Sequence, residues 1–116
     1  MEVKKKFFMD CHLAGRKYHD VDEVWEQLKV GTFLRLERDA DNKYDPEAVA
    51  VMYDDEVQHE TYCLGYLPSN DNKLTADLLD MGWTDLIECR ISTIKPDAHP
   101  EQQIRLTLKI KRNPAK

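Results

Sequence analysis

The feature that most constrains this sequence is the shortness of its apolar runs. Each lasts only a few residues before Gly, Pro, Asp or Asn interrupts it. Runs of this length suit strands of ~5–6 residues, and they fall far short of the ~20 residues a bilayer-spanning helix needs. Residues 7–13 read as a strand ending at Ala14-Gly15, and residues 32–38, 48–53, 62–67, 86–94 and 103–110 read as five more. Two stretches instead carry helical spacing. Asp20 with Glu23 makes a capping-box arrangement ahead of Val21, Val24, Trp25 and Leu28, and Gly31 closes that helix. Pro68 to Asn72 opens a second helix, in which Leu74, Leu78, Leu79 and Met81 are expected to face inward and Gly82 to stop the run. The expected order is strand, helix, three strands, helix, two strands. Many short strands at close spacing predict a mostly β domain, a small closed or partly closed β-barrel with two helices. At 116 residues the chain fits one domain over 1–116, with a core at about 7–110 and a basic C-terminal tail at 111–116.

Charge narrows the function. The chain carries 17 basic and 22 acidic residues, a net charge of −5. Domains that coat nucleic acid by bulk attraction are usually basic, so binding along the length of a polymer is disfavoured. The sum hides an asymmetry: residues 1–30 are neutral, 31–90 carry −9 and 91–116 carry +4. If the first and last strands adjoin, Lys4, Lys6, Lys109, Lys111 and Arg112 form one basic patch. Lys4-Lys5-Lys6 before Phe7-Phe8-Met9 begins like a signal peptide, but Asp10 and His12 interrupt it, so a cytoplasmic location away from membranes is expected. Cys11, Cys63 and Cys89 are odd in number and widely spaced, which fits reduced thiols acting as small hydrophobes. Trp25 and Trp83 read as packing anchors rather than stacking platforms.

Signatures of catalysis are missing from the sequence. It has no Gly-rich phosphate loop, no G-x-S-x-G and no H-E-x-x-H. His12, His19, His59 and His99 do not pair with cysteines at zinc-ligand spacing. Asp39, Asp41 and Asp45 imitate half a calcium loop, but Lys43 stands where a ligand belongs. A non-enzymatic chain without cofactor or metal is expected.

The most informative stretch is Arg38-Asp39, Asn42, Tyr44-Asp45, Ala48-Val49 and Val51, followed by Leu64-Gly65-Tyr66-Leu67-Pro68. This pattern resembles the HIRAN domain family, found at the N-terminus of Swi/Snf-type translocases that remodel stalled replication forks and as smaller bacterial and phage proteins. Ala14-Gly15-Arg16-Lys17-Tyr18 resembles the family's first glycine-aromatic element, and the likeness runs collinearly from about Phe7 to Ile110. The resemblance implies an OB-like barrel of six strands with two flanking helices. It also implies a nucleic-acid-binding module that captures single-stranded DNA by its 3′-hydroxyl end in repair or fork processing, with a translocase or repair protein as a further partner. Any hydrolase activity of larger members belongs to domains outside this stretch.

By the same resemblance, Asp45 matches the aspartate that accepts a hydrogen bond from the 3′-hydroxyl, and Asn42 and Tyr44 match positions lining that pocket. Lys17 and Tyr18 match the basic and aromatic residues of the first element, and Tyr66 stands where members carry His or Tyr. The chemistry suits these roles. An ionised carboxylate only accepts, so it favours a hydroxyl end over a phosphorylated one. A tyrosine offers a stacking face worth roughly 1–3 kcal/mol per base without reading sequence. One departure is Ser69, where DNA-end-binding members can carry lysine, and the acidic run Asp54-Asp55-Glu56 opposes DNA if it lies near the pocket. Two alternatives stay open at this point. Asn42, Asp39 and Asp45 are turn formers able to bond their own backbone, and the same barrel can serve as a protein-interaction adaptor with little DNA affinity.

Overall fold

The structure, a computed structural model, describes residues 4–115, the side chain of Lys17 lying outside that description. Six strands form close to where the short apolar runs place them: β1 (Lys5–His12), β2 (Phe33–Arg38), β3 (Val49–Asp55), β4 (Glu60–Tyr66), β5 (Ile87–Ile94) and β6 (Ile104–Lys111). They make one antiparallel sheet in the order β1-β6-β5-β2-β3-β4. Alternation decides which side chains turn inward. On β6, Ile104, Leu106 and Leu108 are buried, and they meet Leu13, Leu64, Val49, Val51 and Ile91 in one apolar cluster. The register slips between Phe7 and Met9, between Val51 and Met52, and between Ile91 and Thr93. Such irregularities bend a sheet and raise its twist, bringing distant edges toward one another.

The barrel is not closed by a continuous ladder. β1 and β4 remain at the two edges, and the chain just past β1 reaches β4 through a single bridge between Ala14 and Tyr66. That bridge has two bonds of 2.9 Å, Ala14 N–H to Tyr66 O and Tyr66 N–H to Ala14 O. Past that bridge the chain leaves the sheet, with Gly15 left-handed and the Arg16–Tyr18 turn following, and Asp20 N–H returns to the Cys63 carbonyl on β4. Gly65 makes the approach possible. Its φ is +155°, and a Cβ there would lie 2.4 Å from the Ala14 carbonyl oxygen.

The helices differ from expectation in instructive ways. The first is a single α-turn, α1 (Val21–Val24), followed by a 3₁₀ turn over Trp25–Gln27, and Asp20 makes no side-chain cap bond. Its apolar residues do face in, with Val21, Val24 and Leu28 buried. The second, α2 (Lys73–Asp80), turns Asn72, Thr75 and Ala76 inward with Leu79 packed beside them, while Leu74 and Met81 are exposed. Leu74 and Met81 fall on the outer side because the inward stripe is Thr75, Ala76 and Leu79, and the Leu74, Leu78, Met81 row lies roughly two-fifths of a turn away. Trp25 packs on the core as expected, whereas Trp83 is 60% exposed and flanks a shallow groove with Phe33.

The first and last strands adjoin, but within the expected patch Lys111 pairs with Asp85, so the basic patch is partly neutralised. Cys11 and Cys89 are buried and Cys63 half-buried, all as free thiols. Burial pushes the Cys11 thiol up to about 11 and raises Cys63 and Cys89 as well, which keeps all three in the unreactive protonated form. Among the described residues no helix is long and apolar enough to cross a membrane. Among the same residues no group of three His, Cys, Asp or Glu side chains is arranged to hold a metal ion.

Candidate functional site

A cleft of about 690 Å³ opens where the Ala14–Tyr66 bridge meets the loop between β2 and β3. Tyr18, Asn42, Tyr44, Asp45 and Tyr66 all line it, together with Gly15, His19 and Ser69. Residues far apart in sequence meet here because three connections converge: β1 to α1, β2 to β3, and β4 to α2. Lys17 lies on the same 3₁₀ turn as Tyr18, Arg16–Tyr18, with its side chain outside the description.

The β2–β3 loop is held by its own polar groups. Asn42 Oδ1 accepts from the N–H of Tyr44 at 2.9 Å and of Asp45 at 3.0 Å, and its Nδ2 donates to Asp39 Oδ2 at 3.2 Å. Asn42 therefore does form the turn its residue type allows, and its side chain shapes the loop as well as facing the cleft. Arg38 straps the same loop from below, donating to Ala48 O at 3.0 Å and Pro46 O at 2.6 Å, with Nε 3.0 Å from Asp80 on α2. Asp45 is oriented on both oxygens. Oδ1 accepts from Glu47 N–H at 2.9 Å and Oδ2 from Asn72 Nδ2 at 2.8 Å. A carboxylate oxygen offers about two acceptor sites, so capacity remains on each.

Two aromatic faces stand at the rim, Tyr44 at 86% exposure and Tyr18 at 75%. Tyr18 is presented by a rigid turn. Gly15 takes the left-handed conformation at φ +71° and donates its N–H to Glu101 at 2.9 Å, while Arg16 is buried, bonded to Asp22 and placed 5.1 Å over the Trp25 ring. Tyr66 lies deeper. Its hydroxyl donates to Asp39 Oδ2 at 2.7 Å and its ring tilts against His19 with centroids 5.2 Å apart.

The bond to Asp39 and partial burial push the Tyr66 phenol up to about 12, above its ordinary value of 10.0. A raised folded-state value means the interaction stabilises the fold below about pH 10 and is lost as pH rises from there through 12. In an ultraviolet phenolate titration, Tyr66 is expected to ionise near 12 and to shift down in Asp39→Asn. An unchanged titration in that variant contradicts the pairing.

The acidic run lies elsewhere. Asp54 and Asp55 close the far end of the β3–β4 hairpin, about 20 Å of strand from the cleft, and Asp54 is bound by Arg35. The basic patch is remote too, since Lys5 is separated from Ala14 by the length of β1, roughly 30 Å. Sequence reasoning missed Asn72, His19 and Glu101, and it took Asp39 only as a turn residue and motif position. Each acts through a contact distant in sequence, which no local pattern signals.

The conserved-domain profile for the HIRAN domain matches residues 6–112. The chain belongs to the HIRAN domain family. Among curated proteins, it is 33% identical over 97 residues to the Fanconi-associated nuclease 1 homolog of Oryza sativa subsp. japonica, a match covering 83% of this chain and 9% of that protein. Two solved structures share the fold. A protein from Lactobacillus plantarum superposes with a TM-score of 0.71 at 24% identity, covering 94% of this chain and 97% of that one. The HIRAN domain of human HLTF gives 0.63 at 18% identity, covering 99% and 85%. This HIRAN domain thus has six antiparallel strands in one sheet with two short helices, and its membership supports a nucleic-acid-binding reading.

Proposed function

We propose that this HIRAN domain is a non-catalytic module that binds single-stranded DNA by its 3′-hydroxyl end, in the setting of repair or fork processing. The observation that carries the reading is the convergence of Asp45, Tyr18, Tyr44, Asn42 and Tyr66 on one cleft. The Asp45 carboxylate accepts the hydroxyl and repels a terminal phosphate, while the exposed rings of Tyr18 and Tyr44 stack on bases without reading their identity. Lys17, whose side chain lies outside the described residues, is the cation that the family resemblance assigns to the backbone. The whole-chain charge of −5 does not oppose this, because an end-reading pocket needs only one or two phosphate contacts.

The competing role, a protein-interaction adaptor, gains support from Ser69, which lines the cleft where a basic side chain would grip phosphate. Titration of a single-stranded oligonucleotide at several salt concentrations separates the two. The DNA reading expects affinity to fall with salt along a shallow slope of about one or two contacts. A flat dependence, or no binding at low salt, favours the adaptor.

A further inference from the structure

With Asp45 as acceptor of the 3′-hydroxyl, a reading on which this inference rests, we propose that Asn72 sets the end selectivity of the cleft by holding Asp45 with a neutral donor. Asn72 occupies the N-cap position of α2, where an asparagine side chain ordinarily accepts from first-turn N–H groups. Here it makes no capping bond. The residue is 1% exposed, and its Nδ2 donates instead to Asp45 Oδ2 at 2.8 Å, across 27 positions of sequence. A buried amide that forgoes its local partner for a loop carboxylate is placed to aim that carboxylate.

The neutrality of the donor matters. A lysine or arginine in this place would fix Asp45 equally well but cancel its charge. Among the described residues, the cations of the flanking segments have other partners, Lys43 lying 5.2 Å over the Tyr44 ring. Lys73 reaches Glu47 at 3.4 Å and Asp77 at 3.3 Å, and Arg38 is committed to Pro46, Ala48 and Asp80. With Glu47 N–H on one oxygen and Asn72 on the other, Asp45 is fixed in direction by two neutral donors and keeps a full negative charge toward the cleft. That charge accepts a hydroxyl and repels a phosphate. Asn72 is thereby a positioning residue for specificity.

The test measures affinity for two oligonucleotides of one sequence, ending in 3′-hydroxyl or 3′-phosphate, with wild type, Asn72→Ala and Asn72→Leu. Wild type is expected to favour the hydroxyl end. Asn72→Ala is expected to lose on the order of tenfold for the hydroxyl end, with little change for the phosphate end. Asn72→Leu nearly keeps the side chain's size, removes the donor without adding charge, gives up no capping bond, and is expected to collapse the ratio in the same way. It carries the test if Asn72→Ala does not fold by circular dichroism. A purely structural role lowers both affinities alike, and that result overturns the proposal, as does a wild-type ratio retained in folded variants. A wild-type ratio near one overturns the end-recognition reading itself and this inference with it, which distinguishes the two failures.

Discussion

Asp45→Asn is expected to weaken binding to 3′-hydroxyl single strands by about 10- to 100-fold while costing about 1 kcal/mol of stability. A hydrogen bond to a charged group contributes about 1.5–3 kcal/mol, and that is what the hydroxyl loses when the carboxylate becomes an amide. The phosphate end, no longer repelled, is expected to bind as well as before or better. Asparagine is the informative substitution because of what Asp45 does for the fold. Its oxygens receive Asn72 Nδ2 at 2.8 Å and Glu47 N–H at 2.9 Å. Alanine strips Asn72, 1% exposed, of that acceptor, and an unmet buried donor costs about 1–3 kcal/mol of stability. Asparagine keeps an acceptor for the buried Asn72 and removes the charge, and only the half-buried Glu47 N–H gives up its partner. Fluorescence anisotropy on both ends, beside a thermal melt, reads the result. Unchanged hydroxyl affinity in a folded Asp45→Asn protein removes Asp45 from the recognition role.

Gly65→Ala is expected to cost about 2–4 kcal/mol, lowering the melting temperature by roughly 10 °C, and to abolish DNA binding. The added Cβ meets the Ala14 carbonyl oxygen at 2.4 Å and Leu13 side-chain carbons at 3.0 and 3.1 Å. The nearest of these atoms is backbone, so no rotamer change relieves the clash. Relief requires the two-bond Ala14–Tyr66 bridge to open, and that bridge seats the Gly15–Tyr18 turn against the cleft. Stability and recognition should therefore fail together. Gly82→Ala is the control: φ there is +91°, with no atom within 4 Å of the added Cβ, so only backbone strain is introduced. A Gly65→Ala protein that melts and binds as wild type contradicts the account of how β4 carries the site.

Local chemistry made the strands and the loop legible in the sequence. Turn residues fixed the limits of the six apolar runs to within a few positions, and the Asn42–Asp45 spacing marked the loop that enters the cleft. What the sequence concealed depends on contacts between distant segments. Leu74 and Met81 have helical spacing with Leu78, yet α2 docks through a different row, Thr75, Ala76 and Leu79, with Asn72 at its start on the Asp45 loop. Closure of the sheet was not legible either. It turns on register slips and on the Ala14–Tyr66 bridge, neither of which leaves a periodic trace. Asp39 illustrates the same limit within the site: as a turn residue it is ordinary, and only the fold brings the Tyr66 hydroxyl to 2.7 Å from it.

The most direct test compares wild-type binding to three oligonucleotides of one sequence: one with a free 3′-hydroxyl, one with a 3′-phosphate, and a hairpin whose 3′ end is locked in duplex. An Asp45 carboxylate poised in the cleft predicts that the free hydroxyl end binds at least tenfold more tightly than either of the others. Equal affinity for all three contradicts end recognition.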